Sequence, residues 1–207
     1  MTNLQSWNPS QDNTFAHRAR TRQDIVRFCQ RMASQIDTTH TPFSITTSIR
    51  PIQAKRPSSE LLCYTATTSY NKFYQVLCAK LVSNYTRKSK LSLLPVTFDF
   101  IDDNSSKGRK VHAMIEMAHI HSIVFIRNEQ LPRFKELSRD NFACLARYRK
   151  RGGVLSSIES LHITNIFDLP GTFDYATKLL ESPIANKEML YNFNPKGHQS
   201  MFKKPSF

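Results

Sequence analysis

The sequence contains no apolar run near the roughly 20 residues that a membrane helix needs. Its N-terminal stretch lacks the basic start and the apolar segment that together define a secretory signal. The four cysteines are far apart and form no CxxC pair, which argues against a zinc finger or a dense disulfide framework. We therefore expect a cytoplasmic protein that has no membrane partner, with Cys29 and Cys78 buried as core thiols.

Acidic residues are scarce, with 16 Asp and Glu against 29 Lys and Arg, and the net charge is +13. A surplus of this size in a short chain favours a polyanionic partner, and nucleic acid is the first expectation. Anionic lipid or an acidic protein would satisfy the same charge. Charge therefore predicts a class of partner and no chemistry.

Hydrophobic periodicity predicts an α+β domain. Apolar residues recur at helical spacing in four segments, at 22–36, 69–87, 131–151 and 172–181. β-Branched or alternating stretches predict strands at 43–49, 91–102, 111–126 and 161–167. This order fits a central antiparallel sheet with helices mainly on one face. We divide the chain into an N-terminal arm and helix at 1–40, a folded domain at 41–181 and a flexible basic tail at 182–207.

His119 and His121 flank Ile120 in an apolar stretch that continues as a strand. Alternate side chains of a strand point to the same face, about 6–7 Å apart. Two imidazoles held in this way can chelate one divalent cation. Taken alone, the pattern fits equally well two histidines on a solvated strand face.

Tyr175 and Lys178 stand at i and i+3 of a predicted helix, so the phenol and the ammonium can address the same phosphate. A tyrosine phenol with an ordinary pKa of about 10 is a poor nucleophile at neutral pH. It needs electropositive surroundings and a metal that polarises the phosphate. A half-buried ring beside a solvated amine is the plain alternative.

Together and in this order, three segments resemble the motifs of HUH endonucleases. These are the replication initiators of rolling-circle plasmids and phages, and single-tyrosine transposases share their core. The segments are Phe43–Ser48, His119–His121 and Tyr175–Lys178. The resemblance covers roughly residues 41–181 and implies a ferredoxin/RRM-like core. Tyr175 follows the histidines, as in initiators and transposases and unlike conjugative relaxases.

The resemblance implies metal-dependent nicking and joining of single-stranded or hairpin DNA. Mg²⁺ or Mn²⁺ held by His119 and His121 would stabilise charge on the scissile phosphate, and Lys178 would position the tyrosine or offset phosphate charge. Attack by Tyr175 would leave a 5′-phosphotyrosine and a free 3′-OH, initiating rolling-circle replication of a plasmid or phage, or transposition. The sequence has no Walker A motif, so we expect any unwinding to come from a host helicase.

A third metal ligand in this family is usually a carboxylate or amide on the neighbouring strand. Asp99 and Asp102 lie on or just beyond the preceding predicted strand, and we predict Asp99 as the ligand. Glu116 stands at i−3 from His119 and would point to the opposite face of an unbroken strand. We interpret His162 as an ordinary surface or sheet residue.

The densest basic run has an aromatic residue inside it and comprises Arg147, Tyr148, Arg149, Lys150 and Arg151. One interpretation is a nucleic-acid contact, with phosphates on the cations and a base stacked on the ring. The other is the solvated end of a helix whose cations complement the helix dipole.

Three other functions remain open. A non-catalytic nucleic-acid-binding module could use the same sheet topology to stack bases on exposed aromatics. A hydrolytic or RNA-directed metal nuclease could use the histidines without a covalent step. A degenerate HUH domain with an incomplete metal site could bind an origin and repress it.

Overall fold

A computed structural model describes residues 15–36, 38–50, 59–102 and 118–177, and gives only the backbone of residues 15–21, 59, 60, 62, 63 and 102. The predicted tail at 182–207 lies outside these ranges. Four antiparallel strands form one sheet in the order β2-β3-β1-β4. The strands are β1 His40–Ile49, β2 Val96–Asp102, β3 His119–Arg127 and β4 Ile158–Asn165. The predicted α+β class with an antiparallel sheet is confirmed.

Five α-helices accompany this sheet in the described ranges: α1 Phe15–Ser34, α2 Ser59–Leu81, α3 Leu131–Phe142, α4 Ala146–Arg149 and α5 Leu169–Ala176. One side of the sheet, which we call the first face, packs against α2 and α3. Its core joins Ile45, Ile120 and Val124 of the strands to Leu77 of α2 and Phe134 of α3. Strand alternation explains the pattern, because every second side chain points to these helices.

The opposite side, the second face, is covered over only half its width. There α1 and α5 pack on β2 and β3, where their apolar side chains meet Phe98, Phe100, Ile123 and Phe125. The half formed by β1 and β4 carries small polar residues, among them Ser44, Thr46 and Thr164, that line an open groove. Helices therefore lie on both faces, with the second face left partly open.

The predicted helix at 131–151 is interrupted near its middle. Asp140, Asn141 and Phe142 have positive φ angles of 51, 55 and 62°, a conformation that is unfavourable for residues with a side chain. Phe142 is fully buried, and its ring meets Phe73 and Phe134 at centroid distances of 5.5 and 6.3 Å. Burial of this aromatic ring offsets the cost of the backbone turn, and sequence periodicity cannot register that tertiary contact.

Other element boundaries also differ from prediction. Helix α2 begins at Ser59 rather than near residue 69, and it ends at Leu81 rather than near residue 87. The segment Lys88–Leu93 forms a 3-10 helix, so β2 begins at Val96 and not at residue 91. Cys29 and Cys78 are buried as predicted, and burial raises the pKa of both thiols to about 12. No helix in the described ranges is long and apolar enough to cross a membrane.

Candidate active site

Strand β3 places the two histidines of the HxH motif on the second face. His119 and His121 alternate with buried Ile120, as the period of a strand requires. The register pairs His121 with Thr46 of β1 and His119 with Ser48. Each imidazole therefore stands beside a hydroxyl of the neighbouring strand.

Both hydroxyls bond the same nitrogen of their histidine. Ser48 Oγ lies 3.0 Å from His119 Nδ1, and Thr46 Oγ1 lies 3.3 Å from His121 Nδ1. In the tautomer with its proton on Nδ1, the hydroxyl accepts from Nδ1–H and Nε2 carries the lone pair that binds metals. In that tautomer, the two rings can bind a divalent cation through Nε2. The sequence analysis gave Thr46 and Ser48 no role within the Phe43–Ser48 motif, because their register with β3 was unknown.

Helix α5 carries Tyr175 to the same place. The Asp168 carboxylate caps the helix, accepting a hydrogen bond from Gly171 N at 3.1 Å. Phe173 and Ala176 are buried against β2 and β3, which leaves Tyr175 57% exposed at the border of the groove. Its ring meets the His121 ring edge-on, with centroids 5.4 Å apart and planes at 78°.

Arg22 of helix α1 bonds to the C-terminal end of α5. Arg22 forms an ion pair with Asp174, from Nη2 to Oδ1 at 2.7 Å, and its Nη2 also donates to the Asp174 carbonyl oxygen at 2.6 Å. Arg22 Nε donates to Thr177 Oγ1 at 3.3 Å. These contacts flank Tyr175 on both sides in sequence and restrict how its helix can rotate. Lys178, predicted to act with Tyr175, lies outside the described residues.

The prediction of Asp99 as third metal ligand is wrong for this geometry. Asp99 pairs with Ser122 on β3, whereas Phe100 pairs with His121, so the Asp99 side chain points to the first face. The carboxylate is 1% exposed and accepts a hydrogen bond from Thr97 Oγ1 at 2.8 Å. Burial raises the pKa of Asp99 from 3.8 to about 7. A buried group on the opposite side of the sheet cannot share a cation with the histidines.

Asp102, the other carboxylate that the sequence analysis considered, has its backbone paired with that of His119. Within the described residues, no group of three or more His, Cys, Asp or Glu side chains is arranged to hold a metal ion. A third protein ligand would have to come from side chains outside that set.

The groove runs from Tyr175 and His121 across β1 to β4 and has a volume of about 580 Å³. His162 of β4 pairs with Thr46, so His121, Thr46 and His162 form one row across the sheet. The sequence analysis interpreted His162 as an ordinary sheet residue. Only the register of β1 with β4 reveals that it lines the groove.

The basic run at 147–151 lies away from this groove. Tyr148 packs against the core of the first face, with Arg147 over its ring at 4.8 Å and Lys80 at 5.9 Å. Arg147 Nη2 donates a hydrogen bond to Tyr148 Oη at 2.9 Å, and this bond lowers the pKa of Tyr148. Lys80, Arg133 and Arg147 line a second cavity of about 410 Å³, which we call the basic cleft.

No family model, no curated protein and no solved structure matches this chain. The comparisons therefore identify no family, and any functional assignment depends on the geometry of the site.

Proposed function

We propose that the chain is a metal-dependent DNA nickase and strand transferase of the HUH type, with Tyr175 as its nucleophile. The contact between the Tyr175 and His121 rings carries this proposal. It brings a candidate nucleophile from the helix after β4 against a candidate metal ligand in the middle of the sheet. Neither residue type suggests this chemistry alone. Because the two side chains are close together, the phenol and a cation on His121 could act on the same phosphate.

In the proposed reaction, the Tyr175 phenol oxygen forms a bond to a DNA phosphorus and gives up its proton to solvent. The bond between phosphorus and the 3′-oxygen breaks, and that oxygen takes up a proton. The products are a 5′-phosphotyrosine and a free 3′-OH, and attack by a 3′-OH reverses the step without ATP. Phe173, Ala176 and the ion pair between Arg22 and Asp174 fix α5, so that the phenol approaches from one direction.

His119 and His121 would hold Mg²⁺ or Mn²⁺ through Nε2, with Ser48 and Thr46 orienting the rings. When bound, the cation would stabilise the charge that develops on the non-bridging phosphate oxygens. Asp102 is our candidate for the third ligand, because its backbone pairs with His119. Lys178 and the cations at 147–151 remain predicted phosphate contacts.

The biological role follows from this chemistry. A nick that keeps the 5′ end on the protein and frees a 3′-OH supplies a primer for rolling-circle replication of a plasmid or phage, or an end for transposition. Such an enzyme would work in the cytoplasm on single-stranded or hairpin DNA and would need a helicase from its host.

The experiment is incubation with a pool of labelled single-stranded oligonucleotides and Mn²⁺, followed by a denaturing protein gel. We expect a labelled band at the mass of the protein, lost with a chelator, with Tyr175→Phe and with His121→Ala. Tyr64→Phe is the matched control, because Tyr64 is an exposed tyrosine, 72% accessible, on α2. It should leave the band unchanged.

Other outcomes would replace the proposal. Metal-dependent cleavage with no labelled band would indicate a hydrolytic nuclease. A band that survives Tyr175→Phe would remove this tyrosine from the reaction.

A second candidate is a degenerate initiator that binds an origin without cutting it. One observation favours it: Asp99 does not complete the metal site, and the described side chains supply no other third ligand. Tight binding with neither cleavage nor band, across DNA that includes the cognate site, would support this function.

A further inference from the structure

The rim of the groove carries an aromatic ring that the fold does not use. Phe167 stands in the turn between β4 and α5, and it is 95% exposed. Phenylalanine is usually buried, and exposing a whole ring to water costs free energy that folding would otherwise recover. The neighbouring side chains behave differently, since Ile166 packs on the core of the second face and Asp168 caps α5. The exposure of Phe167 is therefore local to this position.

The groove lining is mostly polar, and Asp168 is the one carboxylate among the described residues that line it. Ser44 and Thr164, which pair with each other on the second face, line the groove, as does Asn165 at the end of β4. Hydroxyl and amide groups of this kind can donate to and accept from the edge of a base. Among the described residues that line the groove, none is a lysine or arginine. The groove thus suits a base better than it suits a phosphate.

The dimensions agree with a single nucleotide. A volume of about 580 Å³ falls within the range of about 300–1,000 Å³ found for small-molecule sites. The groove ends at Tyr175 and His121, so a nucleotide in it would join directly to the phosphate that these residues address. An aromatic ring can stack on any base, whereas hydrogen bonds from the hydroxyls of the groove can favour one base over the others.

We propose that this groove binds one unpaired nucleotide next to the scissile phosphate, with its base stacked on Phe167. Ser44 and Thr164 contact the edge of that base and set a preference at this position. The identity of the ligand as single-stranded DNA rests on the proposed function. A base inside a stem would not fit, because its faces are stacked on the neighbouring pairs and its edge is already paired.

The test measures binding without cleavage, using chelator-treated protein and a labelled single strand of roughly 16 nucleotides, a length that covers the usual site sizes. We expect Phe167→Ala to weaken binding about 5- to 150-fold, which corresponds to loss of one stacked base. Phe167→Trp should restore binding, and DNA should quench the fluorescence of the new indole. Tyr64→Ala, which removes an exposed aromatic from α2, should change nothing.

Three results would overturn the subsite: equal affinity of Phe167→Ala and the parent, loss of affinity in Phe167→Trp, or an equal loss in Tyr64→Ala. The labelled-band assay separates this outcome from the fate of the proposed function. A band with Phe167-independent binding leaves the nickase standing without the subsite. Phe167-dependent binding with no band keeps the subsite and removes the covalent step.

Discussion

The two faces of the sheet carry polar groups in opposite surroundings. On the first face, Asp99 lies beneath the packed helices at 1% exposure, and its carboxyl is surrounded by the Tyr70, Thr97 and Ser122 side chains. On the second face, His121 and Thr46 stand at the border of an open groove. The residues come from three neighbouring strands of one sheet, Asp99 from β2, His121 from β3 and Thr46 from β1. Coverage by helices therefore decides which polar groups can meet a substrate and which only affect stability.

Charge divides between the faces in a related way. The basic cleft is lined by Lys80 of α2, Arg133 of α3 and Arg147, whereas the described lining of the groove contains no lysine or arginine. Under the proposed function, attraction of the DNA and positioning of its reactive phosphate would therefore fall to different surfaces. Three predictions test this comparison.

The largest effect is expected for Asp99→Asn, measured as the free energy of unfolding from pH 4 to pH 8. Because the folded pKa is raised to about 7, the carboxyl favours folding at low pH and opposes it as pH rises through 7. The parent should lose about 2–4 kcal/mol across this window relative to the variant. Asp99→Asn should keep the metal-dependent labelled band. Loss of the band in a stably folded variant would return Asp99 to the metal site.

A smaller effect, on metal binding rather than on stability, is expected for Thr46→Val. Loss of the hydroxyl beside His121 Nδ1 should raise the Mn²⁺ concentration needed for adduct formation by about 10- to 100-fold. Stability should change little, because Thr46 is only half-buried. Thr41→Val is the matched control, since Thr41 lies on the same strand but pairs with Ile126, and its hydroxyl donates to Asn128 Oδ1 at 2.8 Å, away from the histidines. Equal effects of the two variants would contradict the assignment.

The smallest effect is expected in the basic cleft. Lys80→Ala and Arg147→Ala should each lower the slope of log affinity against log salt by about 1, if each residue contacts one phosphate. Glu136→Gln, in the same cavity, should tighten binding at low salt. Phe167→Ala should leave the slope unchanged. Equal slopes in all variants would place the phosphate contacts elsewhere on the chain.

Relations within one strand could be predicted from the sequence, and relations between strands could not. The same-face placement of His119 and His121 needs only the period of β3. The position of Asp99 depends on the register of β2 against β3, and the residues that join these strands, 103–117, leave that register undetermined. An error of one residue moves a side chain to the other face. For the same reason, the sequence could not assign Thr46, Ser48 and His162 to the groove and its histidine pair.

Tertiary contacts account for the remaining differences in the fold. The turn at Phe142 depends on a ring buried between two other rings. Tyr175 was found from its sequence neighbourhood, but its contact with His121 depends on how α5 packs through Phe173. Local pattern therefore predicts candidate residues for the chemistry, whereas packing decides which of these candidates meet.

The contact between Arg22 and Asp174 helps to determine which residues must be included when this domain is transferred to another protein. A division after residue 40 would remove α1, expose Phe98, Phe100 and Phe125 to water and release α5, the helix that carries Tyr175. Engineers who wish to fuse this domain to another protein would have to include residues from before Arg22 onward. The first helix is thus part of the smallest unit that can be moved intact from one protein to another.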